Sequence, residues 1–415
     1  MALPEQKKWI YTGIIVIAIV AAVVIGLSAI AANHSGNGPA IPVSGEAAGE
    51  EDLFFNKSYP EYAGGFSVEY HGTYKVVSIH DPWGRKDENF TYLLVQRGEK
   101  VPAGYPDAQV FFVPIEKAVT LSAIHLCQIT RLDELSSVKG HNGIDSVYDE
   151  EIRRFAEGGA IEEIGSGTSS MGTMLDTERI IELEPDVVFC IANGNKDSDS
   201  HYKLREAGLK PVVTAEWMED CPLGRAEWIK FIAYFYNKEQ EANDFFDGVK
   251  AGYLEVSGKT KNLDDKPTVF SGIDYQGTWY APGGGSYVAK LFRDAGAEYV
   301  LSDDTGRGDR SIDVEVVYER AHDADYWINI GFSDDIDELL ALDPRYTNFD
   351  AFKSGNIYHY NARVNAFGGN DYWQSGILRP DIVLEDLVAI LHPEFVPDYE
   401  LYYYRHVGTP HGEGV

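Results

Sequence analysis

Cysteine is scarce in this sequence, and so is methionine. Of the 415 residues, only 3 are cysteine and 4 are methionine. The cysteines lie far apart and form no C-x-x-C pair: they are Cys127, Cys190 and Cys221. This spacing argues against a disulfide framework and against a zinc or iron–sulfur centre built from cysteines. We therefore expect each cysteine to be a small buried apolar side chain.

Basic residues are also few. The chain has 35 lysines and arginines against 66 aspartates and glutamates, so its formal net charge is −31. Binding to nucleic-acid phosphates requires a basic surface, so we expect no nucleic-acid partner. An anionic small ligand would have to meet a local cluster of basic side chains.

Two common catalytic motifs are missing as well. The sequence contains neither a G-x-S-x-G elbow nor a G-x-x-x-x-G-K-[ST] loop. The glycine run Gly283–Ser286 could cradle a phosphate at a helix N-terminus, but it lacks the lysine of a phosphate-binding loop. We expect no enzyme and no catalytic residues. A nucleophile–base pair in the cleft described below would indicate an enzyme instead.

The N-terminus carries a long apolar run. Residues Ile10–Ala32 contain no charge over 23 residues, which as a helix spans roughly 34 Å, enough to cross a bilayer. Lys7 and Lys8 precede it, so this end is expected in the cytoplasm and the rest of the chain outside. A cleaved signal peptide is the alternative, but its apolar region is usually shorter. No cysteine follows the run, which excludes a bacterial-type lipid anchor.

Beyond the apolar run, strand-like and helix-like segments alternate. This alternation predicts an α/β fold with parallel sheets covered on both faces. Residues Arg225–Asp247 contain neither proline nor glycine and predict a long helix. The stretch Leu175–Gly194 aligns without gaps with Ile312–Gly331, once on each side of that helix, which suggests two similar lobes.

We predict two Rossmann-like lobes joined by one long backbone helix and preceded by an N-terminal transmembrane helix. The expected divisions are 1–33 membrane anchor, 34–60 flexible linker, 61–222 N-terminal lobe with a β extension, 223–258 connecting helix and 259–415 C-terminal lobe.

Several stretches together resemble one protein family. They are KAVTLS (117–122), EIGSG leading to LDTERIIELEPDVVF, the long helix PLGRAEWIKFIAYF, and PGGGSYVAKLFRDAGAEYV. These resemble the substrate-binding proteins of iron-siderophore and cobalamin ABC transporters, the helical-backbone class of periplasmic binding proteins. The resemblance covers roughly Val110–Phe395, and the region Phe66–Phe112 has no place in the common pattern.

The resemblance implies an extracytoplasmic, monomeric solute-binding component of an ABC importer. Such a protein would capture a ferric siderophore or similar metal chelate between its lobes and deliver it to the permease and its ATPase. Glu178 and Glu315 match the positions that dock onto permease arginines. The simpler alternative is that they are acidic residues in a first helical turn, with Asp176 and Asp313 as N-caps.

The resemblance also places the ligand at loops that follow the strands. Arginines suit chelate oxygens and aromatic faces suit planar chelating groups, although surface ion pairs and core packing are the alternatives. The ligand-binding candidates are His125, His141, Trp279, Tyr280, Arg307, Arg310, Arg363, Tyr372 and Trp373. Cobalamin or haem stays open as the ligand. A free metal ion is a further alternative, with His80, His125, His141 and His201 as possible ligands. We expect no resident cofactor and no metal site of the protein's own.

Overall fold

The structure is a computed structural model that describes residues 52–84, 88–166 and 174–407. Within these ranges, no helix has the length and apolar character needed to cross a membrane. The predicted N-terminal anchor at Ile10–Ala32 lies outside the described residues.

The described chain alternates between strands and helices, as the sequence predicts. The strands are β1 Phe66–His71, β2 Tyr74–His80, β3 Asn89–Gln96, β4 Gln109–Val113, β5 Ala118–Thr120, β6 Val138–His141, β7 Glu162–Glu163, β8 Gly165–Ser166, β9 Met174–Leu175, β10 Val187–Ile191, β11 Pro211–Thr214, β12 Thr268–Phe270, β13 Ile273–Tyr275, β14 Thr278–Pro282, β15 Glu298–Tyr299, β16 Asp309–Asp313, β17 Tyr326–Ile328, β18 Ile357–His359 and β19 Arg405–His406. The helices are α1 Ala123–Arg131, α2 Glu150–Glu157, α3 Thr177–Glu182, α4 Ser200–Glu206, α5 Pro222–Tyr236, α6 Glu239–Thr260, α7 Tyr287–Asp294, α8 Val314–Ala321, α9 Ile336–Leu342, α10 Asp350–Ser354, α11 Ser375–Leu378 and α12 Pro380–Leu391.

Each half of the chain contains a mainly parallel sheet. The N-terminal sheet has the order β11-β10-β5-β6-β7, and the C-terminal sheet has the order β15-β12-β17-β18-β19. In the N-terminal sheet, the inner strand β10 contains a run of fully buried apolar residues, Val187–Cys190. Such runs are typical of parallel strands covered on both faces. The predicted α/β fold is therefore confirmed.

The region that the sequence could not place forms a sheet of its own. Strands β1 to β4 lie in that order, antiparallel except for the parallel pair β3 and β4. One face of this sheet packs on helix α5. The ring of Phe66 lies 5.0 Å from that of Trp228, and the ring of Phe111 lies 5.3 Å from that of Phe235. The extension thus covers one side of the helix and makes α5 a buried element.

The predicted single backbone helix is wrong, because the structure divides it into α5 and α6. Asn237 ends α5 in the left-handed conformation, with φ 55° and ψ 39°. The ammonium of Lys75 on β2 donates to the Tyr234 carbonyl at 2.6 Å, to the Asn237 side chain at 2.9 Å and to Glu239 at 2.7 Å. A cation at a helix C-terminus and an asparagine in the left-handed conformation both favour ending the helix there. The break therefore depends on a lysine that is remote in sequence.

The segment before the first strand is held against α5 and α6 by a carboxylate and an amide side chain. Glu227 accepts hydrogen bonds from the backbone N–H groups of Glu61, Tyr62 and Ala63. Ser58 is buried and its hydroxyl donates to the Asn243 side chain at 2.6 Å. Part of the segment expected to be a flexible linker, from about residue 54 onward, is therefore packed on the folded body.

Candidate functional site

The two lobes meet through the loops that follow β6 and β18. The side-chain amide of Asn365 donates to the carbonyls of Asp145 at 3.0 Å and Val147 at 2.9 Å. Gln374 donates to the Ser146 carbonyl at 2.8 Å and accepts from the backbone N–H of Tyr148 at 2.8 Å. Loops at the carboxyl ends of parallel strands are where α/β proteins bind ligands. The seam between these two loops is therefore the candidate site.

Aromatic side chains from the C-terminal lobe cluster beside this seam. We call Tyr360, Tyr372, Trp373 and Tyr404 the aromatic cluster. The rings of Tyr360 and Tyr372 are stacked with centroids 4.4 Å apart, and Trp373 meets Tyr372 edge-on at 4.9 Å. Trp373 is 45% exposed, whereas Tyr372 is buried. The cluster thus has a rigid base and an aromatic side chain that a ligand could contact.

Burial also sets the chemistry of the cluster. It raises the pKa of Tyr360, Tyr372 and Tyr404 above the usual value for a phenol. Their hydroxyls therefore stay protonated at neutral pH and act as hydrogen-bond donors. The exposed part of the cluster is the Trp373 ring, a flat apolar face that suits a planar ligand.

A second aromatic pair lies at the end of β10 in the N-terminal lobe. The rings of Trp83 and Trp217 are stacked, with centroids 6.3 Å apart, and the Trp217 indole donates to the Ala192 carbonyl at 3.2 Å. Trp83 comes from the loop after β2, so the extension reaches the ligand-binding edge of this lobe. Gly194 has φ +78°, and a Cβ atom there would lie 2.8 Å from the Trp83 ring. Only glycine fits this turn without strain.

Comparison with known proteins decides the family. A model of the periplasmic binding protein family matches residues 167–364. An uncharacterized lipoprotein of Methanocaldococcus jannaschii is 32% identical over 352 residues, a match that covers 82% of this chain and 80% of the relative. The chain belongs to the periplasmic binding protein family. Since members of this family are solute-binding proteins, the expectation that the chain is not an enzyme is confirmed.

Solved structures show the same fold at low sequence identity. One is a possible iron-binding, periplasmic solute-binding protein from Staphylococcus epidermidis, with a TM-score of 0.51 and 17% identity over 67% of this chain and 98% of that one. Another is an ABC transporter substrate-binding protein from Listeria monocytogenes, with a TM-score of 0.51 and 17% identity over 67% of this chain and 99% of that one. The fold is therefore that of a periplasmic binding protein.

The three arginines predicted for this periplasmic binding protein are each paired with a different carboxylate. Arg307 is 71% exposed and pairs with Asp220 at 3.1 Å. Arg310 pairs with Asp304 at 3.1 Å. Arg363 donates to Asp371 at 2.8 Å, and its guanidinium stacks on the rings of Tyr148 at 4.7 Å and Tyr402 at 4.1 Å. Of the three, only Arg363 contacts the seam, because Tyr148 belongs to the loop that follows β6. Ligand contact by these arginines remains a prediction.

Of the predicted aromatic residues, the structure brings Tyr372 and Trp373 together in the aromatic cluster. Trp279 lies in the core of the C-terminal lobe, where its ring lies 5.8 Å from that of Trp327 and its indole donates to the Ser271 carbonyl at 2.9 Å. Tyr280 follows it on β14 and is half-buried. Because Trp279 is fully buried, it offers no surface to a ligand in this structure.

The two predicted histidines are buried inside the N-terminal lobe. His125 Nε2 lies 2.9 Å from the Thr214 hydroxyl, and His141 Nδ1 lies 2.8 Å from the Thr120 hydroxyl. Burial lowers the pKa of each to about 3, so both rings are neutral at physiological pH. Among the described residues, no three His, Cys, Asp or Glu side chains come together in a way that could hold a metal ion.

The two predicted docking glutamates stand exposed at the starts of matching helices. Glu178 is in the first turn of α3, and Glu315 is in the first turn of α8. Asp176 and Asp313 cap these helices by accepting from backbone N–H groups, both at 2.9 Å, so the N-cap interpretation of the aspartates is confirmed. Glu315 also accepts from Arg345 at 3.0 Å. Residues 167–173, which precede β9 and α3, lie outside the described residues.

Proposed function

We propose that this protein is the extracytoplasmic binding component of an ABC importer and that it captures a ferric siderophore or similar metal chelate between its lobes. The observation that carries the proposal is the aromatic cluster beside the seam, with Trp373 exposed above the stacked Tyr360 and Tyr372. Planar chelating groups stack on exposed aromatic faces of this kind. The two solved structures with the same fold, a possible iron-binding periplasmic protein and an ABC transporter substrate-binding protein, are consistent with this choice.

Haem is the second candidate ligand, for a reason that lies in the same cluster. A flat macrocycle can stack on the rings of this cluster just as a catecholate or hydroxamate group can. Cobalamin remains an alternative of the same transporter class, but nothing in the cluster favours it over haem. A direct binding comparison separates these ligands.

The route of delivery follows from the family resemblance. Glu178 and Glu315 are proposed to dock onto the permease, one from each lobe. The apolar run Ile10–Ala32 is proposed to anchor the protein with its binding domain on the extracytoplasmic side. The Methanocaldococcus jannaschii relative is described as a lipoprotein. This chain has no cysteine before Cys127, so an apolar helix would replace the lipid here.

Tryptophan fluorescence of the detergent-solubilised full-length protein tests the proposal. We expect saturable quenching by a ferric siderophore or by haem, and weaker quenching by cobalamin and by free divalent metal ions. Trp373→Ala should weaken binding about twofold to tenfold, because a ring contact contributes about 0.5–1.5 kcal/mol. Phe367→Ala is the matched control, since this ring is 63% exposed on the same loop and lies outside the cluster. If no chelate binds, or if only divalent ions bind, the proposal is wrong.

A further inference from the structure

The hydrogen bonds across the seam join two side chains of the C-terminal lobe to one short piece of backbone in the N-terminal lobe. Asn365 and Gln374 together donate to three successive carbonyls, and Gln374 also accepts from the next backbone N–H, all within residues Asp145–Tyr148. We call these four hydrogen bonds the clasp. Because the N-terminal lobe contributes only backbone groups, the clasp depends on how the two loops are held and not on side chains of Asp145–Tyr148.

Both halves of the clasp are fixed by bonds within their own lobe. The Asn365 side-chain oxygen accepts from the backbone N–H groups of Phe367 at 2.9 Å and Gly369 at 2.8 Å. This leaves the amide nitrogen pointing across the seam. On the other side, the Glu163 carboxylate accepts from the backbone N–H groups of residues 143 and 144 at 2.9 and 2.8 Å. Since both halves are already ordered, forming the clasp costs little further entropy.

The two loops also touch directly. A Cβ atom at Gly369 would overlap the Ser146 carbonyl oxygen. The Arg363 guanidinium lies on the Tyr148 ring at 4.7 Å. The space beside Tyr372 in the aromatic cluster is about 250 Å³ and takes about one water-sized group at a time, whereas pockets for small molecules usually measure about 300–1,000 Å³. A metal chelate therefore has to part the two loops before it can lie between the lobes.

We propose that the clasp is an autoinhibitory contact, which holds the ligand-free protein closed and which the metal chelate replaces when it binds. This inference rests on the proposed function and adds a mode of regulation to the same site. A ligand that binds only the open form has an apparent affinity reduced by the fraction of molecules that are open. Breaking the clasp therefore tightens binding, whereas removing a ligand contact would weaken it.

Two variants break the clasp in different ways. Asn365→Asp keeps the oxygen that accepts from Phe367 and Gly369, but it replaces the donor by a second oxygen that faces two carbonyls. Gly369→Ala adds no charge and places a methyl group against the Ser146 carbonyl, so the loops must separate. Ala366→Asp is the matched control, because it adds the same charge at the adjacent exposed residue and leaves the clasp intact.

Hydrogen exchange of the ligand-free full-length protein shows whether the clasp opens as a unit. The reporter is the Tyr148 backbone N–H, whose acceptor Gln374 lies across the seam and is unchanged in both variants. We expect its exchange to become at least about tenfold faster in Asn365→Asp and Gly369→Ala, because exchange follows local opening. The N–H groups of Ser146 and Val147 bond within their own turn and should exchange as in the wild type. Unchanged Tyr148 exchange in both variants would overturn the inference.

Stopped-flow tryptophan quenching with haem and with a neutral ferric trihydroxamate tests the effect on binding. In the wild type, the association rate should level off at high ligand concentration, because opening precedes binding. Both clasp variants should raise this limit and bind at least one probe at least about threefold more tightly. Ala366→Asp should match the wild type.

The outcomes separate the inference from the proposed function. If the clasp variants exchange faster but bind no more tightly, the clasp is a structural joint and the inference is wrong, while wild-type binding leaves the proposed function standing. A wild-type rate that rises linearly without levelling off would also overturn the inference, and this measurement does not depend on the folding of any variant. If neither probe binds to the wild type or to the opened variants, the proposed function fails and the inference fails with it.

Discussion

At the scale of single residues, burial decides what a histidine in this protein does. His125 lies shortly after strand β5, and His141 is the last residue of strand β6. These positions made both histidines candidates for ligand contact. In the structure both are enclosed, each with one ring nitrogen beside a threonine hydroxyl. A neutral ring held in this way is a structural group whose titration is coupled to folding.

This coupling predicts a loss of stability in acid. The ordinary histidine pKa is 6.5, and burial lowers it to about 3 in both residues. Between these values the unfolded chain binds more protons than the folded one, so the free energy of unfolding falls as pH falls. The slope is about 1.4 kcal/mol per pH unit for each histidine. Urea unfolding of His125→Gln and His141→Gln between pH 8 and pH 4 should show a shallower loss below pH 6 than the wild type shows.

The measurement contains its own control. Above pH 7.5 neither the folded nor the unfolded chain protonates these rings, so the difference between variant and wild type should be constant there. Variants with the wild-type slope between pH 6 and pH 4 would contradict the account, because they would mean that the two rings take up protons equally in both states.

At the scale of elements, the break between α5 and α6 depends on a buried ion pair. Lys75 is fully buried, and its ammonium lies 2.7 Å from Glu239 at the start of α6. Burial lowers the pKa of Lys75, and the charge of Glu239 opposes that shift. The two groups therefore stabilise each other at the point where the second helix begins.

Removing one member of this pair should destabilise the protein more than removing both. Lys75→Met leaves the buried Glu239 carboxylate without its cation, with the Tyr70 hydroxyl at 3.4 Å as a weak donor, and should cost about 3–5 kcal/mol in urea unfolding. Adding Glu239→Met should recover much of that loss. Lys57→Met is the matched control, because Lys57 pairs with Asp52 at the surface, where solvent screens the charges and the pair adds little to stability. A double variant no more stable than Lys75→Met alone would mean that the two charges are not coupled.

The same elements show what sequence reasoning could and could not reach. The alternation of apolar strands and helices predicted the two α/β halves, because burial on both faces leaves runs such as Val187–Cys190. The helix break at Asn237 was missed because its cause, Lys75, lies on a different strand. Trp279 was assigned to the cleft because aromatic residues in the core and at a site look alike in sequence.

At the scale of the whole molecule, the proposed docking residues stand on matching helices of the two halves. Changing Glu178→Gln together with Glu315→Gln should leave folding and ligand binding nearly unchanged, since a first-turn charge contributes about 0.3–1 kcal/mol. Uptake of the bound chelate into membrane vesicles and stimulation of the ATPase should fall sharply, because charge pairs at a partly buried interface contribute more. To dock, the Glu315 carboxylate must break its ion pair with the Arg345 guanidinium, which lies 3.0 Å away, and pair with a group on the permease.

The matched control uses the last turns of the same two helices. Glu182 and Glu319 occupy corresponding positions in the internal alignment and are exposed. Glu182→Gln with Glu319→Gln should leave uptake near the wild-type level. If the docking variant transports normally, or if it loses ligand binding instead, the two glutamates are first-turn helix residues without a docking role.

The central claim is that a metal chelate binds in the seam between the lobes. Hydrogen exchange of the full-length protein, with and without the chelate that quenches its fluorescence most strongly, tests this claim most directly. We predict slower exchange in residues 142–148 and 360–374, which form the two sides of the seam, and little change in helix α6. Protection confined to other segments, or no protection at saturating chelate, would contradict the account.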